Sequence, residues 1–147
     1  MRHRLGYPPG SGGQFTRERT GETVKNIPYY FIGVAVIFAL IGMGYGMYMA
    51  ASQDHLLAGA HAHNNLMGWV TMAIFGLYYR AVPQAVTSLA TLHFWVTLVA
   101  NLIFPIGIAI AILGMTPALA AIGGILEIIS MLIFAYTVYR HRAGLSV

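Results

Sequence analysis

Four of the six histidines in this chain fall in or beside apolar stretches, where a polar side chain is costly and requires an explanation. Three of them gather in one short segment, Asp54-His55 followed by His61-Ala62-His63-Asn64-Asn65, and the fourth is His93. Apolar surroundings keep an unpaired imidazole neutral, the state that offers a nitrogen lone pair to iron or copper. Two residues of helix turn through about 200°, so His61 and His63 leave opposite faces and do not easily share one metal. A helix of that kind stands between two sites and presents one axial ligand to each. This favours haem over zinc, which prefers an i, i+4 pair closing on a single ion. There is no Cys, which removes disulfides, thiolate clusters and Cys-ligated zinc and leaves His, carboxylate and Met as donors.

The remaining polar candidates each have two readings. His55 beside Asp54 is either a second metal donor whose ring the carboxylate orients, or half of a helix cap among solvated headgroups. His93 lies roughly 10 Å from the depth of His63 if both sit on spanning helices, which makes it a packing or hydrogen-bonding residue. Glu127 is the one carboxylate inside an apolar run. It serves proton transfer, or it is a neutral acid hydrogen-bonded to Ser130 or a backbone carbonyl. Met43, Met47, Met67, Met72 and Met131 read as gap-filling rather than as ligands. Trp69, Trp95, Tyr78 and Tyr79 read as an interfacial aromatic belt.

The elements that must carry these residues are membrane helices. Of 147 residues, 58% are hydrophobic and only 8% charged, a balance that would leave large apolar patches on a water-soluble surface. Four apolar runs of about 28–49, 56–79, 89–113 and 118–139 are each long enough at 1.5 Å per residue to cross a hydrocarbon core. Pro28 suits a helix start, and Pro83 and Pro117 mark turns. The fold expected is all-α and integral to the membrane, four transmembrane helices in an antiparallel up-down bundle. Residues 1–26 form a disordered cytoplasmic tail, 27–142 the four-helix membrane domain, and 143–147 a C-terminal tail. Gly42 and Gly46 make a small-xxx-small face for close helix approach.

All eight Lys and Arg residues lie outside the runs: five precede the first, Arg80 follows the second, and Arg140 and Arg142 follow the fourth. The loops at Asp54 and Thr116 carry none, so the positive-inside rule predicts an N-in, C-in topology. The net charge of +4 therefore reports orientation in a lipid bilayer rather than nucleic-acid binding. No cleavable signal sequence is expected, because the N-terminal stretch is polar and the first apolar run is too long for a signal peptide.

His61-Ala62-His63-Asn64-Asn65-Leu66-Met67-Gly68-Trp69-Val70, then Gly76-Leu77-Tyr78-Tyr79-Arg80-Ala81-Val82-Pro83, resembles the tenth helix of haem-copper oxidase subunit I, with the cbb-type enzymes nearest. Leu92-His93-Phe94-Trp95-Val96-Thr97 resembles the start of that family's eleventh helix, in the same order and spacing. The resemblance implies that His61 is the axial ligand of a high-spin haem and His63 one axial ligand of a low-spin haem, of b type. It further implies a bacterial cytoplasmic (inner) membrane, a respiratory electron-transfer partner, and a role in electron transfer or in binding a diatomic gas. The chain departs from the family in three ways. The first run has no histidine for a second low-spin ligand, the middle helices with the three copper histidines are absent, and the turn reading Gly114-Met115-Thr116-Pro117 lacks the family's Arg pair. A complete oxidase site within one protomer is thereby excluded. The family scaffold has approximate threefold four-helix units, so a homo-oligomer, trimer or dimer, would let neighbouring chains share a haem. The competing expectation is a non-catalytic oxidase-associated scaffold, assembly or copper-binding subunit.

Overall fold

The computed structural model describes the backbone of residues 11–142 and the side chains of residues 26–142. Every regular element among the described residues is helical. The first, α1 (Ser11–Ser52), is followed by α2 (Ala58–His63), a π-helical segment (Asn64–Thr71) and α3 (Met72–Ala81). A 3₁₀ turn at Pro83–Ala85 then leads to α4 (Ser88–Ile112) and α5 (Ala118–Arg140). Three stretches are long and apolar enough to cross a membrane: Asn26–Ser52, Ser88–Ile112 and Ala118–Arg140. Each keeps most of its surface unburied, so Ile37, Leu40, Met47, Ile128 and Leu132 point outward. A bilayer accepts such a surface, and apolar helices of this kind mark a membrane protein.

The helix ends have local causes. Gln53 adopts a left-handed φ of 57° and its Nε2 donates to the Ala50 carbonyl at 2.6 Å, which closes α1. Asp54 Oδ1 accepts the Leu56 N–H at 2.9 Å and turns the chain into α2. Gly114 (φ 78°) closes α4, with the Met115 N–H bonded back to the Ile110 carbonyl at 3.2 Å. Thr116 Oγ1 accepts the Ala118 N–H at 3.2 Å and starts α5.

Three features differ from what the sequence predicts. Helix α1 does not start at Pro28 but runs through it from Ser11, within the expected tail. Once the apolar part has nucleated a helix, each added residue gains a hydrogen bond without a new nucleation cost. Residues 1–10 of that tail and the C-terminal tail 143–147 lie outside the described residues. The run at about 56–79 is not one α-helix. Asn64 (φ −56°, ψ −44°) and Thr71 (φ −66°, ψ −44°) keep helical backbone at the joints, yet the stretch between them is wound as a π-helix. Tyr79, expected in an interfacial belt, is fully buried, and so belongs to the core.

That core lies among α1, α3 and the start of α4. Ile27, Phe31, Ala35 and Phe38 form the inward stripe of α1, facing Met72, Phe75 and Tyr79 of α3 and Phe94 of α4. Phe31 stacks on Tyr79 at 5.6 Å and meets Phe75 and Phe94 edge-on. Small residues let the backbones approach. A Cβ on Gly68 would stand 2.6 Å from the Phe38 ring, and one on Gly123 would stand 2.6 Å from the Phe104 Cα. Gly42 and Gly46 continue the α1 stripe, and against them lie the side chains of Asn65 and His61.

Candidate functional site

The histidine segment sits where α2 passes into the π segment. Because α2 itself is regular, His61 and His63 diverge as a two-residue step requires. His61 turns toward α1, with its ring 5.8 Å from that of Tyr45 and its Cε1 3.3 Å from where a Gly46 Cβ would be. His63 turns toward α4, where it meets the Phe104 ring edge-on at 5.0 Å and 79°. His55 lies exposed in the loop before α2, its Nδ1 3.2 Å from the Gln53 carbonyl. The described residues contain no cluster of three or more His or carboxylate donors, and His61 and His63 face different helices.

Their hydrogen bonds separate them chemically. His63 Nδ1 lies 2.8 Å from the Gly59 carbonyl oxygen, which can only accept, so Nδ1 carries the hydrogen and Nε2 carries the lone pair. Orientation by a backbone carbonyl on the far nitrogen is the arrangement that suits an axial ligand. His61 is different: Asn65 Nδ2 lies 3.1 Å from its Nε2 and 3.3 Å from its Nδ1, and 3.2 Å from its carbonyl oxygen. The amide covers one side of the ring, and His61 must leave Asn65 before it can take a metal. The partner of the His55 ring is the Gln53 carbonyl at Nδ1, while Asp54 Oδ1 accepts the Leu56 N–H, as the helix-cap expectation has it. The donor set therefore fits haem iron at His63 and, as it stands, does not fit it at His61.

The π segment, for which the sequence offered no prediction, governs this placement. Asn64 Nδ2 donates to the Phe38 carbonyl at 3.1 Å and Thr71 Oγ1 to the Leu66 carbonyl, five residues back, at 2.9 Å. The wider turn displaces α2 about the helix axis relative to α3, so the histidines can face α1 and α4 while Phe75 and Tyr79 keep the core. The Asn64-Asn65 pair, two amides in an apolar run, is the signal that could have marked it. Beside His61 an apolar groove of 210 Å³ runs between α1, α2 and α4, walled by Gly42, Tyr45, Asn64 and Pro105. It is small beside the ~300 Å³ lower bound of ordinary ligand pockets.

A second polar cluster is more deeply buried. His93, fully buried, has Nδ1 3.0 Å from the Tyr79 hydroxyl and Nε2 3.2 Å from Ser130 Oγ, and Ser130 Oγ lies 2.6 Å from Thr97 Oγ1. Phe31, Phe75 and Phe134 surround its ring. Ser130 is thus engaged by His93 and Thr97, not by Glu127 as one expectation had it. Glu127 Oε1 and Asn101 Oδ1 are both buried without a hydrogen-bond partner. Comparison with family models, with curated proteins and with solved structures returns no match for this chain.

Proposed function

We propose that this is a haem-binding protein of the cytoplasmic membrane, related to haem-copper oxidase subunit I, working in electron transfer or in binding a diatomic gas. The chain crosses the bilayer four times, with α2, the π segment and α3 together forming the second crossing, and both ends face the cytoplasm. Support for the topology comes from Arg80, Arg140 and Arg142, which all follow crossings on one side, while Asp54 and Thr116 lie in loops without basic residues.

The observation that carries the haem reading is the His63 imidazole, with Nδ1 tied to the Gly59 carbonyl and Nε2 left with its lone pair. Phe104, edge-on to the half-buried ring, limits its rotation. When bound, haem supplies one-electron redox chemistry or a coordination position for a gas. A second donor to the haem would be His63 or His55 of a neighbouring copy of the chain, since among the described residues no histidine stacks on or hydrogen-bonds to His63. His61 holds Asn65 and through it the contact with Gly42 on α1. That packing role also favours a second reading, a non-catalytic oxidase-associated scaffold whose exposed His55 binds copper transiently.

The visible absorption spectrum of protein purified in detergent decides between them. A Soret band with about one haem per chain or per pair of chains supports the first reading. A colourless protein that retains copper, and loses it on His55→Ala, supports the second and contradicts the first.

A further inference from the structure

Helices α4 and α5 pack antiparallel, and two of the four buried side-chain oxygens without a hydrogen-bond partner among the described residues, Asn101 Oδ1 and Glu127 Oε1, lie at matching levels of that interface. Thr97 meets Ser130 at one level, and Gly123 meets Phe104 at another. Asn101 is between Thr97 and Phe104 on α4, and Glu127 is between Ser130 and Gly123 on α5, so these two face each other. Asn101 is 1% exposed and Glu127 9%. Asn101 Nδ2 donates to the Thr97 carbonyl at 3.0 Å, which leaves its Oδ1, an acceptor, directed away from that bond. Pro105, inside α4, has no N–H for the Asn101 carbonyl four residues earlier, so the same level gains a further acceptor. Acceptors gathered without a donor are unstable in an apolar interior. A single hydrogen on Glu127, given to Asn101 Oδ1, satisfies both orphaned atoms at once.

Next to this pair runs a chain of hydrogen bonds whose direction can be derived. Thr97 has one hydroxyl hydrogen and donates it to the His93 carbonyl at 2.7 Å. Ser130 must therefore donate to Thr97, and with its own hydrogen spent it accepts from His93 Nε2–H. His93 Nδ1 then carries the lone pair and accepts the Tyr79 hydroxyl. Tyr79 also lines a 400 Å³ open pocket at the Arg80 end of the bundle, beside Tyr29 and Arg80, whose guanidinium donates to the Tyr29 hydroxyl. The groups run in one sense from that pocket inward.

We propose that Glu127 is a proton-binding group inside the bundle, hydrogen-bonded as the neutral acid to Asn101, and that it exchanges its proton with the pocket at the Arg80 end through Thr97, Ser130, His93 and Tyr79. The acid hydrogen leaves Glu127 for Thr97, and each group of the route, turned to the opposite sense, passes one hydrogen outward to pocket water; the carboxylate so formed is then re-protonated in the sense derived above, each group passing one hydrogen forward and receiving one from behind. In that return Tyr79, closed off from solvent in this structure, takes its hydrogen when the pocket wall it forms opens to water, His93 accepts at Nδ1 and releases at Nε2, and Thr97 turns from the His93 carbonyl to deliver to Glu127. No electron moves. The elements packed on this stretch of α5 contribute His93 from α4 and Tyr78 and Tyr79 from α3 as titratable groups. Helix α4 carries no charged residue, and Arg80, the charged residue of α3, points to Tyr29. The proposal needs membrane burial but no haem, so it stands or falls apart from the function proposed above.

Infrared difference spectroscopy of the full chain in liposomes tests it. The expected result is a protonated-carboxyl C=O band that disappears in Glu127→Gln, shifts in Asn101→Leu, and exchanges in D₂O about tenfold more slowly in Tyr79→Phe, the effect of losing one hydrogen bond from the route. Absence of the band, or exchange unchanged by Tyr79→Phe, overturns the proposal. Unsubstituted protein gives a second readout that no folding defect can obscure. A lipid-soluble carbodiimide, adding the acid O–H across its C=N bond, should mark Glu127 by mass, and an unmarked Glu127 contradicts the neutral acid.

Discussion

His93 shows how a polar side chain is tolerated in the interior of an apolar bundle. Both ring nitrogens are engaged, by residues of two other helices, and aromatic rings enclose the remainder. Removing such a group leaves its partners unpaired. His93→Leu should destabilise the protein by roughly 2–4 kcal/mol, the range for orphaning buried hydrogen-bonding groups. Tyr79→Phe alone should cost about 1–2 kcal/mol and much less in the His93→Leu background, because the two residues share one bond. Thermal unfolding of the four proteins in one detergent measures this coupling, and simple additivity would show that the Tyr79–His93 bond contributes nothing. The sequence made plain that His93, His61 and His63 needed partners. Asn65 and Gly59 lie one helical turn from His61 and His63, but Ser130, Tyr79 and Phe104 come from other helices and are brought close only by packing, which the sequence does not show.

At the scale of elements, hydropathy alone predicts an all-helical chain with long apolar helices, since of the two structures that satisfy backbone groups within lipid, helices and closed barrels, only helices need unbroken apolar runs of about 20 residues. The second run was less legible. An α-helix and a π-helix of the same composition have the same hydropathy, and what distinguishes this one is the pairing of Asn64 with Phe38 and the close approach of Gly68 to that ring. Asn64→Leu should release this contact and destabilise the bundle by about 1–2 kcal/mol, read as a lower unfolding midpoint. The α4–α5 interface depends on small residues as well. A Cβ at Gly107 would collide with the Ala120 backbone, which cannot turn aside as a side chain can. Gly107→Val should therefore cost about 1–3 kcal/mol or more, whereas the same change at Gly44, which has open space around it, should be nearly neutral. Equal effects at the two positions would contradict the packing described.

For the whole molecule, Arg80, Arg140 and Arg142 lie at or just beyond helix ends on one side of the described bundle, and His55, His61 and His63 lie toward the other, which links orientation to function. Since the chain contains no Cys, single substitutions report sidedness without background. Gln53→Cys and Thr116→Cys should react with a membrane-impermeant maleimide added to intact cells, and Gln84→Cys only after lysis; the reverse pattern would invert the proposed topology. The function proposed above depends on His63, whose ring is oriented by the Gly59 carbonyl. Whether iron occupies that position is the central question. It is answered most directly by comparing the absorption spectra of His63→Ala and His61→Ala proteins purified side by side. The Soret band should vanish in the first and persist in the second, because His63 presents a free Nε2 while His61 is engaged by Asn65. A band that survives His63→Ala would contradict the assignment.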